Sequence, residues 1–448
     1  MLKAEVQSRF LPHSTRRSVF SPRVNKRHHD SARRYYDEAL WHCHNASAEQ
    51  TSLEAPAYLA TRVLLAYYHH ASSDHLRFRL AVGEAVLFAV LNRSNLLNSA
   101  SGADVLQMWY RMCTSHRPAK PPALGLEGEG ATSSGPRILP SATDQLYLHC
   151  IIGMSSDDLI YDILIKTLEI RTKLVLFRCA ARAYQVSEQS SEIGSLAHKV
   201  WNNISGRECE PDEYTEAREE FMQRSHLLGL LDVQEDRLKV WRSRLEPKQL
   251  PAISPVSAFS PVDSDSSLSL CPVQTFPTHR DAMNALYSLL CELIFEESRE
   301  TNSTYPEPTM SMESVASTVC QIASGLDFNA SITFDVYTFS LTEVLLQLVF
   351  SWQSDSTFQY ILDFLWPELE SKGRGYEHSH YPTHLAKRII AQLAEYWTLG
   401  RTITFAKPAV PEDISKLKLL DINQPVDLGV CGYSRIDGAF FVERLSLL

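Results

Sequence analysis

Three carboxylates give the chain its most enzyme-like spacing. Asp157, Asp158 and Asp162 lie in SSDDLIYD, and residues four apart on a helix share a face, so Asp158 and Asp162 could jointly hold a magnesium ion in a helical-bundle enzyme. Such a site needs a second metal-binding stretch on a facing helix. The nearest text, NNISGRE at 202–208, lacks both the spacing and a helix-compatible middle. The reading adopted is therefore an N-cap, with Ser155 or Ser156 followed by acids at the positive end of a helix.

His378, His380 and His384, in GRGYEHSHYPTHLAK, offer an H-x-H pair and a third imidazole, a set that suits zinc when the pair sits on a strand and a carboxylate orients the rings. Gly373, Gly375 and Pro382 point instead to a tight turn between helices, with the histidines capping or solvated, so that Arg374, His378, His380 and His384 read as a fixed structural corner of the helical body, with an effector or partner corner as the alternative, rather than as a metal centre. His42-Cys43-His44 and His69-His70 fall on helices, where adjacent side chains diverge. The nine cysteines occur singly with no C-x2-C pair, which reads as reduced thiols in a cytosolic or nuclear setting. Glycine-rich phosphate loops and the G-x-S-x-G nucleophile elbow are absent from the sequence. No catalytic residue, metal or cofactor is expected. Ser254 and Ser260 each precede a proline and are candidates for proline-directed phosphorylation.

The elements that must carry these residues are helices. From Pro56 to Leu91, Leu59, Val63, Tyr67 and His70 step by four, four and three, and Pro56 suits a helix start because the first turn needs no N–H. Ser72, Ser73 and Asp74 interrupt the run, and Leu76, Leu80, Gly83, Leu87 and Val90 continue the period in a second helix. Its large apolar side chains contribute roughly 1.5–3 kcal/mol each, less than the ordering entropy of the pair, so this hairpin must sit within a larger helical body. Further helices are expected at 103–112, 142–149, 156–184, 193–204, 212–241, 279–299, 312–325, 340–353, 357–370 and 382–400. Pro367 interrupts or kinks the penultimate one. Residues 331–339 read as one short extended piece.

The expectation is an all-α protein, a large multi-helix domain of packed helical hairpins with two disordered inserts. A basic disordered arm spans 1–34, the helical domain 35–407, the inserts about 114–141 and 247–278, and an irregular tail 408–448. No apolar run reaches the ~18 residues of a membrane span. The net charge of −10 is uneven: residues 1–34 carry nine Lys or Arg against Glu5 and Asp30, hence +7, leaving −17 for the remainder. Within the arm, Arg16, Arg17, Lys26, Arg27, Arg33 and Arg34 form a candidate nuclear-localisation set.

The stretch YLATRVLLAYYHHASSDHLRFRLAVGEAVLFAVL resembles the central helix pair of the fungal-specific transcription factor domain. FPTHRDAMNALYSLLCELIFEESRE and YILDFLWPELESKGRGYEHSHYPTHLAKRIIAQLAEYWTLGR resemble later parts of that family. The resemblance implies a nuclear transcriptional regulator, not an enzyme, whose helical body works through effectors or through protein partners of the RNA polymerase II machinery. In that family DNA is read by a six-cysteine zinc cluster, which this sequence does not contain, so DNA is expected as a partner only if such a cluster lies upstream of it. A cytosolic scaffold is the remaining alternative.

Overall fold

The computed structural model describes residues 26–71, 75–115, 142–205, 224–249, 252–253, 274–299, 310–328, 339–372, 383–408 and 425–447. In chain order the helices are α1 (Lys26–Asn45), α2 (Ala48–Leu53), α3 (Ala55–Ala71), α4 (His75–Leu91), α5 (Arg93–Leu97), α6 (Gly102–Ser115), α7 (Ala142–Ile152), α8 (Ser156–Ala183), α9 (Ile193–Ser205) and α10 (Arg224–Ser243). A two-residue antiparallel ladder, β1 (Ala252–Ile253) with β2 (Gln274–Thr275), comes next. It is followed by α11 (His279–Arg299), α12 (Met310–Ser324), α13 (Leu341–Ser351), α14 (Asp355–Gln359), α15 (Trp366–Lys372) and α16 (Thr383–Thr398). Strands β3 (Arg401–Pro408), β4 (Val426–Ser434) and β5 (Phe440–Leu447) form an antiparallel sheet in the order β3-β4-β5. The described residues are thus predominantly helical, as the periodicity predicts, with the short ladder and one small three-stranded sheet. Among the described residues no helix is long and apolar enough to cross a membrane.

The spine is α8, 28 residues long and so about 42 Å at 1.5 Å per residue. Ser155 caps it, its hydroxyl accepting from the Asp158 N–H. α9, α10 and α11 pack along its flanks, α12 and α13 pack on α11, and α16 joins α13 to the sheet. Arg171 of α8 locks three of these helices together. Its Nε donates to Glu297 of α11 at 2.6 Å, and its Nη2 donates both to Glu297 and to the Phe350 carbonyl of α13, each at 2.9 Å.

The hairpin α3–α4 forms as expected, and its turn at 72–74 lies outside the described residues. α3 buries Leu59, Val63 and Tyr67. The expected stripe of α4 is corrected: Leu80 and Leu87 are 61% and 59% exposed, while Phe78, Val82, Ala85 and Ala89 face the core. α4 is apolar nearly all round, so its sequence marks no face strongly. The small Ala85 and Ala89 share that buried face with the rings of Phe78 and Phe88.

Other boundaries change too. Residues 26–34, expected in a disordered arm, form the first turns of α1, and the helix expected from 212 is described from Arg224. The insert 247–278 has ordered ends, a 3₁₀ turn at Pro247–Gln249 and the pairing of Ala252 with Thr275. Its middle, the insert at 116–141 and the extended piece 331–338 lie outside the described residues. At Pro367 the helix neither stops nor breaks. Tyr360–Leu365 widens into a π-helix in which Trp366 N–H bonds to the Ile361 carbonyl five residues back, which accommodates a ring that cannot donate.

The largest correction is the C-terminal region, which is sheet rather than irregular tail. Its glycines, which leave the tail without a strong hydrophobic period in sequence, permit close packing. A Cβ on Gly429 would lie 2.0 Å from the Ile204 carbonyl oxygen of α9, and one on Gly432 would lie 1.9 Å from that of Thr402 on β3. Gly438 takes a φ of 74° in the β4–β5 turn. Arg401 Nη1 donates to Glu443 at 3.1 Å while its guanidinium covers the Phe441 ring at 3.8 Å, tying β3 to β5 across the central strand.

Candidate functional site

The acidic set at the start of α8 is consumed by the fold. Asp157 accepts from Asn284 Nδ2 at 2.7 Å and pairs with Arg280 at 3.0 Å, both on α11. Asp158 pairs with Arg111 of α6 at 2.9 Å and accepts from the Ser155 hydroxyl. Asp162 is buried and takes three donors: Tyr110 at 3.0 Å, Lys166 at 2.8 Å and Arg237 of α10 at 2.7 Å. Burial opposes ionisation of Asp162, but the Lys166 and Arg237 charges outweigh it and hold the carboxyl below its ordinary range. The three carboxylates address three different helices, and each is met by protein cations. They fit the capping and clamping reading and leave no shared face for magnesium. Among the described residues no group of three or more His, Cys, Asp or Glu converges on a point.

Other sequence candidates are scattered. Lys26, Arg27, Arg33 and Arg34 are exposed on α1, with Arg34 lying over the Tyr35 ring at 5.1 Å. Arg16, Arg17, Ser254, Ser260, Arg374, His378 and His380 lie outside the described residues, as does the side chain of His384 in the first turn of α16. His44 donates from Nδ1 to the Leu40 carbonyl of its own helix, whereas His42 packs edge-on against Trp41, so these imidazoles diverge as their adjacency predicts.

The site that sequence reasoning missed is a cleft of about 360 Å³ between α10, α11 and α12, bounded on its fourth side by β2 and the residues after it. Each element contributes for a local reason. α10 ends at Ser243, so Leu245 turns inward under the 3₁₀ turn. Thr278 caps α11 by accepting from the Asp281 N–H at 3.1 Å, which fixes the preceding Phe276 against the cleft. Ala285 and Leu289, one turn apart on α11, face Ile322 of α12.

Several polar groups of the wall are already matched. Arg242 forms a salt bridge with Glu292 and donates to the Ser288 hydroxyl at 2.8 Å, and Asn284 is held by Asp157. Trp241, 3% exposed, lines the cleft with its ring; its indole N–H is enclosed by protein without an acceptor, as are those of Trp109, Trp352 and Trp366. The arrangement suits an uncharged, largely apolar molecule, in a volume within the usual ~300–1,000 Å³ of small-molecule sites. The cleft was hidden because three separated segments build it, although Phe276 to Leu289 fall within one stretch that carries the family resemblance. Comparison with protein-family models, with curated proteins and with solved structures returns no match.

Proposed function

We propose that the chain is the helical regulatory body of a nuclear transcriptional regulator of the fungal-specific type, not an enzyme, and that a neutral apolar effector in the α10–α11–α12 cleft controls its contact with protein partners. One observation carries the effector reading: a largely apolar cleft of about 360 Å³ whose charged wall residues Arg242 and Asp281 are already engaged by protein partners. The family reading rests on the resemblance of residues 58–91, 276–300 and 360–401, and the basic residues of α1 and the segment before it support nuclear import.

The test fuses the chain to a heterologous DNA-binding domain driving a reporter. Ala285→Leu and Ala285→Phe fill the cleft to increasing extents. Both are expected to abolish control of the reporter by its inducing condition while the melting temperature stays within a few degrees of the parent. Unchanged control in both variants would overturn the effector site. Failure of the parent fusion to affect transcription at all, with the protein folded, would overturn the regulator reading itself.

A further inference from the structure

Two thiols from distant parts of the chain meet in the core. Cys179 on α8 and Cys431 on the central strand β4 are fully buried, and their Sγ atoms lie 3.6 Å apart across 252 residues of sequence. Tyr433, on the same face of β4 two residues along, brings its hydroxyl to 3.6 Å from Cys179 Sγ. Arg182, nearly one turn further along α8, covers the Tyr433 ring at 4.3 Å. Register fixes the partner sulfur, because Cys431 is paired with Phe405 of β3 on one side and Val442 of β5 on the other.

We propose that Cys179 and Cys431 are a modification site for hydroperoxides, at which one equivalent of hydrogen peroxide converts the pair into a disulfide that pins the C-terminal sheet to α8. The Cys179 thiolate attacks one peroxide oxygen, the O–O bond breaks, and hydroxide departs to leave a sulfenic acid. Cys431 sulfur then attacks that sulfur. The S–S bond forms, the S–O bond breaks, and the hydroxyl leaves as water with the Cys431 proton. In sum two thiols lose two electrons, and one peroxide becomes two waters. Closing from contact to the ~2.0 Å bond asks each sulfur to move by roughly 1 Å. Peroxide, nearly as small as water, reaches the pair during local opening of the sheet.

The surroundings divide the two roles. Burial opposes ionisation of Cys179, yet hydrogen bonds from Cys431, Tyr433 and Thr404 and the nearby Arg178 charge outweigh it and hold this thiol below its ordinary range. Cys431, which gives its hydrogen bond to Cys179 and is itself buried, is pushed well up. Cys179 is accordingly the attacking thiol and Cys431 the resolving one. The other thiols that sense one another, Cys113 and Cys150, are both pushed up by burial, Cys150 to about 12, and are poor nucleophiles.

The experiment treats the full chain with a small excess of hydrogen peroxide, blocks remaining thiols by alkylation, digests without reduction and maps the peptides by mass spectrometry. The expected result is a Cys179–Cys431 linked peptide as the main cross-link, with two of the nine thiols lost to alkylation. Because the bond closes a 252-residue loop, the melting temperature should rise by several degrees, and dithiothreitol should reverse both changes. Cys431→Ser should lose the cross-link and the rise. The peptide map on the unaltered chain needs no variant to fold. Absence of the linked peptide, dominance of another pair, or over-oxidation of Cys179 without a link would overturn the proposal.

Discussion

Replacing Glu297 by alanine tests whether the Arg171 lock organises the helical body. Both side chains are almost wholly enclosed, 4% and 6% exposed, and the carboxylate accepts two of the three hydrogen bonds that Arg171 makes with described partners. Glu297→Ala leaves a guanidinium buried with only the Phe350 carbonyl to satisfy it, and stranding one member of such a pair costs about 3–5 kcal/mol. With unfolding entropy near 2.1 cal/mol/K per residue over a few hundred residues, 1 kcal/mol is worth ~1.5 °C, so the midpoint should fall by roughly 5–8 °C in a circular-dichroism melt. The double variant Arg171→Met, Glu297→Leu removes both charges and fills the same space, and should recover most of the loss. A fall of less than about 1.5 °C for the single variant, or a double variant less stable than the single, would refute the reasoning.

Asp162→Asn should cost about 3 kcal/mol at neutral pH, because Lys166 and Arg237 lose their buried anion. The folded carboxyl titrates below its unfolded value of about 3.9, so its stabilisation is complete above that pH and disappears as pH falls through the lower folded value. Acid titration of both proteins should therefore show the gap closing below about pH 4. Gly429→Ala, whose methyl would collide with the Ile204 carbonyl, should cost about 1–3 kcal/mol in a urea melt. Gly83→Ala, facing open space on α4, should gain about 0.5–1 kcal/mol by the same measurement. Ser155→Ala should lose about 1 kcal/mol through the missing cap of α8.

Particular residues show what the sequence could convey. The four-four-three stepping of Leu59, Val63, Tyr67 and His70 located α3 and largely its buried face, and Ser155 with the following acids located the start of α8, because periodicity and capping act within one or two turns. The inner face of α4 was not legible, since Leu80 and Leu87 are as apolar as Val82 and Phe88 and only the packing of α3 distinguishes them. The C-terminal strands were missed because a glycine that admits a neighbouring backbone looks, in sequence, like one that ends an element. Gly429 and Gly432 are of the first kind, and their partners Ile204 and Thr402 are far away in sequence. The cleft was illegible for a related reason: Trp241, Phe276 and Ile322 belong to three elements that periodicity treats separately.

The pairing of β4 with the far end of α8 also sets an order of events during folding. Most helical neighbours of α8 arrive soon after it along the chain, but the side chains that cover Cys179 are 252 residues away, and contacts at such separation form late because a long loop must first close. Until then the end of α8 and the Ile204 end of α9 present uncovered apolar surface to any other chain close by. The small sheet is therefore expected to dock late, and slow docking would lengthen the time for which nascent chains are prone to associate with one another.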